Sequence, residues 1–268
     1  MKIAVIQLTS ILDYRENLKK IDGFIKEAKS NGANKIFLPE VFFSMSDGEG
    51  ATPHLVEDGN HLQESIVKLA RENEVFLIGG SVAFKSGDEV LNRAYVISPE
   101  GEILSSYDKM NLFSCHIIKD GEETILDEGN VYTGGSRPQV YRLDDWTIGL
   151  SICFDLRFPE LYRHYFSKGV NLITVPAAFT VPTGRAHWET LLRARAIENQ
   201  SYVVAANQYG VHNEKISTWG HSLVISPWGE VLANGEEGEK VIYANLSLDE
   251  VSRVKMRMNV PVDKQFLK

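Results

Sequence analysis

The stretch TIGLSICFDLRFPELYRHYFSKGVNLITVP, Thr147 to Pro176, decides the fold class. Thr147–Phe154 is an apolar run of strand length that stops at the corner Asp155-Leu156-Arg157-Phe158. Pro159–Lys168 then reads as a helix and Asn171–Pro176 as a second strand. Strand, helix and strand in close succession predict an α/β chain. The same alternation continues toward the C-terminus. Ala186–Gln200 reads as a long helix and Ser201–Asn207 as a strand. Ser222–Ser226 and Val231–Leu232 form a hairpin around Pro227-Trp228-Gly229. A late strand, Val241–Leu246, and a closing helix, Leu248–Met258, follow.

Toward the N-terminus the reading is similar. Gln139–Leu143 is a strand joined to Thr147–Phe154 through Asp144-Asp145, and Val75–Ala83, Arg93–Ser98 and Ile103–Tyr107 are three successive strands. Leu62–Asn73 is a helix. Asp13–Asn31 places Leu18, Ile21, Ile25 and Ala28 on one helical face, with Asp13 as N-cap and Gly32 as the stop. Lys2–Leu8 is a short strand, and Lys35–Leu38 is a buried strand running into Pro39-Glu40. No linker or low-complexity stretch interrupts the pattern, so a single domain over residues 1–268 is expected. Hairpins beside helix–strand units point to a mixed sheet or two packed sheets.

Composition narrows the function classes. With 268 residues, 43% hydrophobic and 24% charged, the chain is an ordinary globular one with room for a sizeable core. A net charge of −8 argues against a general affinity for nucleic acid or an anionic membrane. No apolar run approaches the roughly 20 residues that span a bilayer. Met1–Leu8 meets Gln7 and Asp13 too soon for a signal peptide. The two cysteines, Cys115 and Cys153, form no CxxC motif and read as reduced thiols, so a cytoplasmic location is expected.

Few residues stand where chemistry needs them. Cys153 lies at a strand-to-helix corner, a place that can lower a thiol pKa, although a free cysteine in a strand is also an ordinary small hydrophobe. Ser151, in Gly149-Leu150-Ser151-Ile152-Cys153, resembles a broken nucleophile elbow but stands two residues inside the strand. Glu40 ends a buried strand behind a proline and suits base work, or is an exposed edge carboxylate. Lys109, in Tyr107–Phe113 (YDKMNLF), follows a strand among apolar neighbours, as a snorkelling surface lysine also would. His187 and His221 are conceivable partners for Cys153. No histidine pair has metal-helix spacing, and neither a P-loop nor GxGxxG occurs, so no metal, nucleotide or other cofactor is expected.

Three of these segments together carry a resemblance: Leu38–Glu40 (LPE), Tyr107–Phe113 and Ser151–Leu161 (SICFDLRFPEL) resemble the three catalytic neighbourhoods of the nitrilase, or carbon–nitrogen hydrolase, superfamily, in that order. Ala177–Ala196 (AAFTVPTGRAHWETLLRARA) and Gly220–Leu232 (GHSLVISPWGEVL) look like its Nit amidase branch. The resemblance implies a four-layer α-β-β-α sandwich. It implies Glu40 as general base, Lys109 as electrostatic stabiliser and Cys153 as nucleophile. It also implies a second active-site glutamate seven residues before a glycine, a spacing that Glu122 and Gly129 fit, with Glu123 as the fallback. Phe154, Ala178 and Phe179 would line the substrate. Two departures lie near the expected substrate mouth: Asn111 stands where many relatives have histidine, and Ser114–Gly121 (SCHIIKDG) matches no subfamily pattern.

The reaction so implied is hydrolysis of a carboxamide to carboxylate and ammonia through a thioester. Arg157 and Arg185 either bind a carboxylate of a small acidic amide or pair with Glu160 or Glu189. The alternatives are an N-carbamoyl-amine hydrolase or nitrilase of the same family, or a non-catalytic scaffold of the same fold. The resemblance further implies a homodimer or higher homo-oligomer, with Pro159–Lys168 at its interface unless Tyr162, Tyr165 and Phe166 face the core.

Overall fold

The computed structural model describes residues 1–119 and 122–261; in the hairpin between 114 and 127 the side chains of 117–119 and 122–124 are not described. The first half runs β1 (Lys2–Gln7), α1 (Tyr14–Ser30), β2 (Lys35–Phe37), α2 (His61–Asn73), β3 (Phe76–Ser86), β4 (Glu89–Ile97) and β5 (Ile103–Asp108). A hairpin of β6 (Ser114–Lys119) and β7 (Glu122–Asp127) follows. The second half runs β8 (Gln139–Leu143), β9 (Trp146–Leu150), α3 (Pro159–Ser167), β10 (Leu172–Thr174), α4 (Val181–Asn199) and β11 (Tyr202–Ala205). It closes with β12 (Tyr209–Val211), β13 (Ser217–Trp219), β14 (Leu223–Ile225), β15 (Val231–Asn234), β16 (Lys240–Asn245) and α5 (Leu248–Arg257).

Two six-stranded sheets result, ordered β16-β1-β2-β3-β4-β5 and β15-β14-β11-β10-β9-β8. Each is built on a parallel trio, β1-β2-β3 and β9-β10-β11, and finished by antiparallel strands. The alternation of side chains along a strand explains the layering. In β1, Ile3 and Val5 enter the core shared with the second sheet, whereas Ala4 and Ile6 pack with Ile21 and Ile25 of α1 and Ile66 of α2. On the far side α3 and α4 bury Tyr162, Tyr165, Trp188, Leu192 and Ala196. The order of layers is therefore helix, sheet, sheet, helix, the four-layer sandwich expected.

Local chemistry sets the boundaries. Asp13 caps α1, accepting from the Arg15 N–H at 2.9 Å, and Asn60 caps α2 through the N–H groups of Leu62 and Gln63. Gly149 has to be glycine, because a Cβ there would stand 2.7 Å from the Tyr165 ring of α3. Tyr162 and Tyr165 are fully buried and Phe166 is 8% exposed, so the aromatics of this helix face the core and not an interface.

Two boundaries differ from expectation. The strand of Thr147–Phe154 ends at Leu150, and Cys153–Arg157 form a 3-10 turn. Ile152 and Cys153 are apolar because the entry to that turn is buried, and apolarity alone cannot separate it from a strand. Helix α4 begins at Val181, well before Ala186. Pro182 suits its first turn, and Gly184 permits contact with Trp219, whose side chain a Cβ would approach to 2.3 Å.

Candidate active site

Strand direction brings the candidate residues to one end of the sandwich. Glu40 lies three residues beyond β2, Lys109 follows β5, Cys153 follows β9 and Ala178 follows β10. β5 is antiparallel to β4, which is antiparallel to β3, so β5 runs with the parallel trio. These residues all lie off carboxyl ends of strands, the end at which open α/β sheets place their ligands.

Glu40 is 4% exposed and its carboxylate is saturated on one side. Oε1 accepts from Lys109 Nζ at 2.8 Å and from Asn92 Nδ2 at 2.8 Å, and Oε2 accepts from the Ala178 N–H at 2.8 Å. The chain turns sharply here: Val41 has φ +47°, an outlier for a β-branched residue, and its N–H is held by Ser81 Oγ at 3.0 Å. Lys109 is 2% exposed and also reaches Glu128 Oε2 at 2.7 Å. Burial opposes its charge, but Glu128, Glu40 and the facing Cys153 hold its ammonium well above the ordinary lysine range. Glu128 is opposed by burial too, yet Lys109, the Phe113 N–H at 2.8 Å and Asn92 Nδ2 at 3.1 Å hold it below the usual carboxylate range.

Among the described residues the second carboxylate on Lys109 is Glu128, where Glu122 was expected. Glu122 opens β7 opposite Lys119, and its side chain, like that of Glu123, lies outside the described residues. Glu128 stands the same seven residues before Gly135. That glycine seals the loop to Lys109: its N–H donates to the Lys109 carbonyl at 2.8 Å, and a Cβ would stand 2.2 Å from the Asp108 carbonyl oxygen.

Cys153 enters from the other sheet. It is the first residue of its turn, with φ +47° and its N–H donating to the Pro176 carbonyl at 2.8 Å. Holding a non-glycine residue there costs about 1–3 kcal/mol. The thiol faces the Glu40 carboxylate and the Ala178 N–H. The corner does not lower its pKa as the sequence suggested. Burial and the Glu40 carboxylate push the thiol well up, outweighing Lys109. Neither histidine reaches it as a partner: His187 is exposed on α4 at 3.3 Å from Arg157 Nη2, and His221 stacks on Trp219 at 4.3 Å. Ser151 is committed elsewhere, its hydroxyl donating to the Thr174 carbonyl at 2.7 Å and accepting from Tyr162 at 3.0 Å.

Asp155 joins the two halves and was not anticipated. It is fully buried, and Oδ1 accepts from the Asn111 N–H at 2.9 Å and Asn111 Nδ2 at 2.8 Å. Oδ2 accepts from the Tyr107 hydroxyl at 2.7 Å and the Ile152 N–H at 2.9 Å. Burial still leaves its pKa raised. Asn111 therefore ties the lysine loop to the cysteine turn, which accounts for an amide at that position. Asn92, Tyr107 and Tyr132 were likewise missed; the Tyr132 phenol is pushed up by burial and by Glu128 and Glu40.

Around these groups Phe154 meets Phe113 edge-on at 5.3 Å, and the Arg157 guanidinium lies 5.4 Å from the Phe154 ring and 5.5 Å from that of Phe179. Arg157 Nε is buried with no partner among the described residues. Arg185 is exposed over Trp219 at 5.5 Å, while Glu189 pairs with Arg193 at 3.5 Å. Cys115 is half-buried in β6, its Sγ 3.7 Å from the His116 carbonyl. No group of histidine, cysteine or acidic residues among the described residues is placed to hold a metal ion.

Known proteins are similar to this chain over nearly its whole length. A deaminated glutathione amidase from Synechocystis sp. is 36% identical over 95% of this chain and 94% of its own length. The omega-amidase NIT2 of Homo sapiens is 32% identical over 98% and 94%. The crystal structure of the C. elegans NitFhit protein superposes with a TM-score of 0.88 at 35% identity, covering 96% of this chain, which spans 63% of that longer one. The carbon-nitrogen hydrolase family model matches residues 2–256, and the chain belongs to that family, whose members among its relatives are amidases.

Proposed function

We propose that the chain hydrolyses the terminal carboxamide of a small acid to carboxylate and ammonia through a thioester on Cys153. The observation that carries this reading is the Glu40 carboxylate, which binds Lys109 through one oxygen while facing the Cys153 thiol. A thiol kept protonated in the resting site needs a base in contact with it, and Glu40 is that base. On attack, the thiol proton passes to Glu40 and the sulfur bonds to the amide carbon. The oxyanion forms against the Lys109 ammonium and the backbone N–H of Phe154. Glu40 returns the proton to the departing nitrogen, ammonia leaves, and the thioester remains. Glu40 then takes a proton from water, hydroxide adds to the thioester, and collapse releases the acid and restores the thiol. Glu128 holds Lys109 charged throughout. The thiol supplies the covalent step, so the mechanism calls on no metal or organic cofactor.

The substrate's acid group fits Arg157. Its guanidinium, near the Phe154 and Phe179 rings and with Nε unpartnered among the described residues, suits a planar carboxylate. The relatives named as omega-amidase and deaminated glutathione amidase support small acids carrying an amide as substrates. Homodimer assembly in the cytoplasm belongs to the same reading. An exposed apolar groove lined by Ile197, Trp228 and Met258 supports a second copy there, and among the described residues no helix is long and apolar enough to cross a membrane. The test is an ammonia-release screen over ω-amides of dicarboxylic and keto acids, ureido acids and nitriles. Turnover of the ω-amides alone is expected; preferential turnover of ureido acids or nitriles would overturn the amidase reading.

A further inference from the structure

Asn92 contacts both carboxylates of the site's first half and the backbone of its lysine. It lies inside β4 and is 2% exposed. Its backbone carbonyl accepts the Lys109 N–H at 2.9 Å. Its single amide nitrogen donates one proton to Glu40 Oε1 at 2.8 Å and the other to Glu128 Oε1 at 3.1 Å. The orientation of the amide follows from those partners, since a reversed group would aim its oxygen at two carboxylate oxygens. The consequence is visible: Asn92 Oδ1 is buried with no partner among the described residues. An amide kept only to fill space in a strand would not leave an acceptor stranded to serve two carboxylates.

The charge arithmetic says why such a donor is needed. Two buried carboxylates share one ammonium, so one negative charge is left for neutral donors to hold. Two acids in this position otherwise tend to share a proton. A shared proton would disable the base, because a protonated Glu40 cannot accept from Cys153. The neutral donors here are the N–H groups of Ala178 and Phe113 and the amide of Asn92, and Asn92 alone bridges both acids. It also occupies Glu40 Oε1, which leaves Oε2 as the oxygen for the thiol.

We propose that Asn92 is a positioning residue that keeps Glu40 and Glu128 ionised together and turns Oε2 of Glu40, the oxygen that also accepts the Ala178 N–H, toward Cys153. The inference rests on Glu40 acting as the base for Cys153. The titratable groups facing this cluster are Glu40, Glu128, Lys109, Cys153 and Tyr132.

Two near-isosteric variants test it. Asn92→Leu removes the donor, and Asn92→Asp replaces it at neutral pH by a third negative charge. Each is followed by kcat and KM for an ω-amide against pH, by iodoacetamide labelling of Cys153 against pH read by peptide mass spectrometry, and by thermal unfolding. The expected result for Asn92→Leu is an acid limb of kcat/KM moved up by about one pH unit, the size of one lost hydrogen bond to an ionised group. The shift should be larger in Asn92→Asp. KM should change less than kcat, because Asn92 does not touch the substrate, and the labelling midpoint should move the same way. Folded variants whose midpoints match wild type would overturn the proposal, as would an activity loss that only tracks the unfolded fraction. Labelling needs no substrate. A wild-type chain that labels at Cys153 but releases ammonia from no amide would overturn the amidase reading, and the labelling shift would still decide on Asn92.

Discussion

The two sheets contribute opposite kinds of chemistry. The first delivers Glu40, Asn92 and Lys109, joined by Glu128 from the loop beyond β7, in a network where every charge has a partner within 2.8 Å. The second delivers Cys153, a neutral thiol on a backbone with φ +47°. One side concentrates charge and the other presents a neutral thiol, and each carries a residue at φ +47°, Val41 and Cys153. Polar contacts cross between them: Glu40 to the Ala178 N–H, and Asp155 to Tyr107 and Asn111. On the proposed mechanism neither half is reactive alone: the thiol, pushed up by burial and by Glu40, takes its base from the other sheet.

Breaking the second side is expected to have the largest effect. Cys153→Ala removes the proposed nucleophile and little volume, so turnover should fall by about 10^4-fold or more while the fold persists. Steady-state ammonia release together with a thermal melt checks both halves of that statement; near wild-type hydrolysis would remove Cys153 from the mechanism.

Breaking the charged side is expected to rank next. Glu128→Gln leaves Lys109 with Glu40 as its one carboxylate partner, and kcat should fall by about 10^2- to 10^3-fold as the ammonium shifts toward Glu40 and away from the oxyanion. The same variant has a pH signature. Glu128 is held below its ordinary 4.5, so its stabilising contribution is complete above that value and is lost as pH falls through the lower folded-state value. The stability gap between wild type and Glu128→Gln should therefore narrow in urea titrations as pH drops below about 4.5. A gap that is constant with pH would mean that Glu128 contributes shape and not charge.

Breaking the crossing contact comes third. Asp155→Asn puts an amide donor among four groups that already donate, from Ile152, Tyr107 and Asn111. Unfolding free energy should drop by about 3 kcal/mol, with a loss of turnover near tenfold as the cysteine turn loosens from the lysine loop. Equal stability in urea would show that the halves are held together by packing alone.

What was legible in the sequence divides along the same line. Glu40, Lys109 and Cys153 end strands inside recognisable local contexts, and strand ends are where an α/β sheet exposes side chains. The helix–strand alternation with its hairpins foretold an α/β chain with a mixed sheet or two packed sheets, and the four layers came from the family resemblance. Glu128 was not legible, because the seven-residue spacing has two solutions. Glu122 with Gly129 and Glu128 with Gly135 differ only in tertiary contact: the Gly135 position nearly touches the Asp108 backbone, whereas a Cβ at Gly129 would meet the Asp127 side chain at 3.0 Å. Asn92 left a fainter signal, a polar residue inside the apolar strand EVLNRAYVI. The turn at Cys153 was masked by its own burial, since an apolar run reads alike whether it continues a ladder or lines a core.

Ser151 offers the smallest effect and the sharpest contrast with Cys153. Both carry a nucleophilic atom, and they stand two residues apart. Ser151 is fully buried, its hydroxyl spent on the Thr174 carbonyl at 2.7 Å and the Tyr162 hydroxyl at 3.0 Å. Neither partner is a base. The group therefore fastens α3 and β10 beneath the cysteine turn and has no route to a substrate. Ser151→Ala removes one donor and strands the Tyr162 hydroxyl, which should cost about 1–2 kcal/mol of stability. Turnover per folded molecule should stay within about twofold, because the variant leaves the thiol, its base and the ammonium in place. Urea unfolding and active-site titration with a thiol reagent separate the two quantities. A variant that is as stable as wild type yet inactive would transfer the nucleophile to Ser151 and dissolve the division between a charged sheet and a thiol-bearing one.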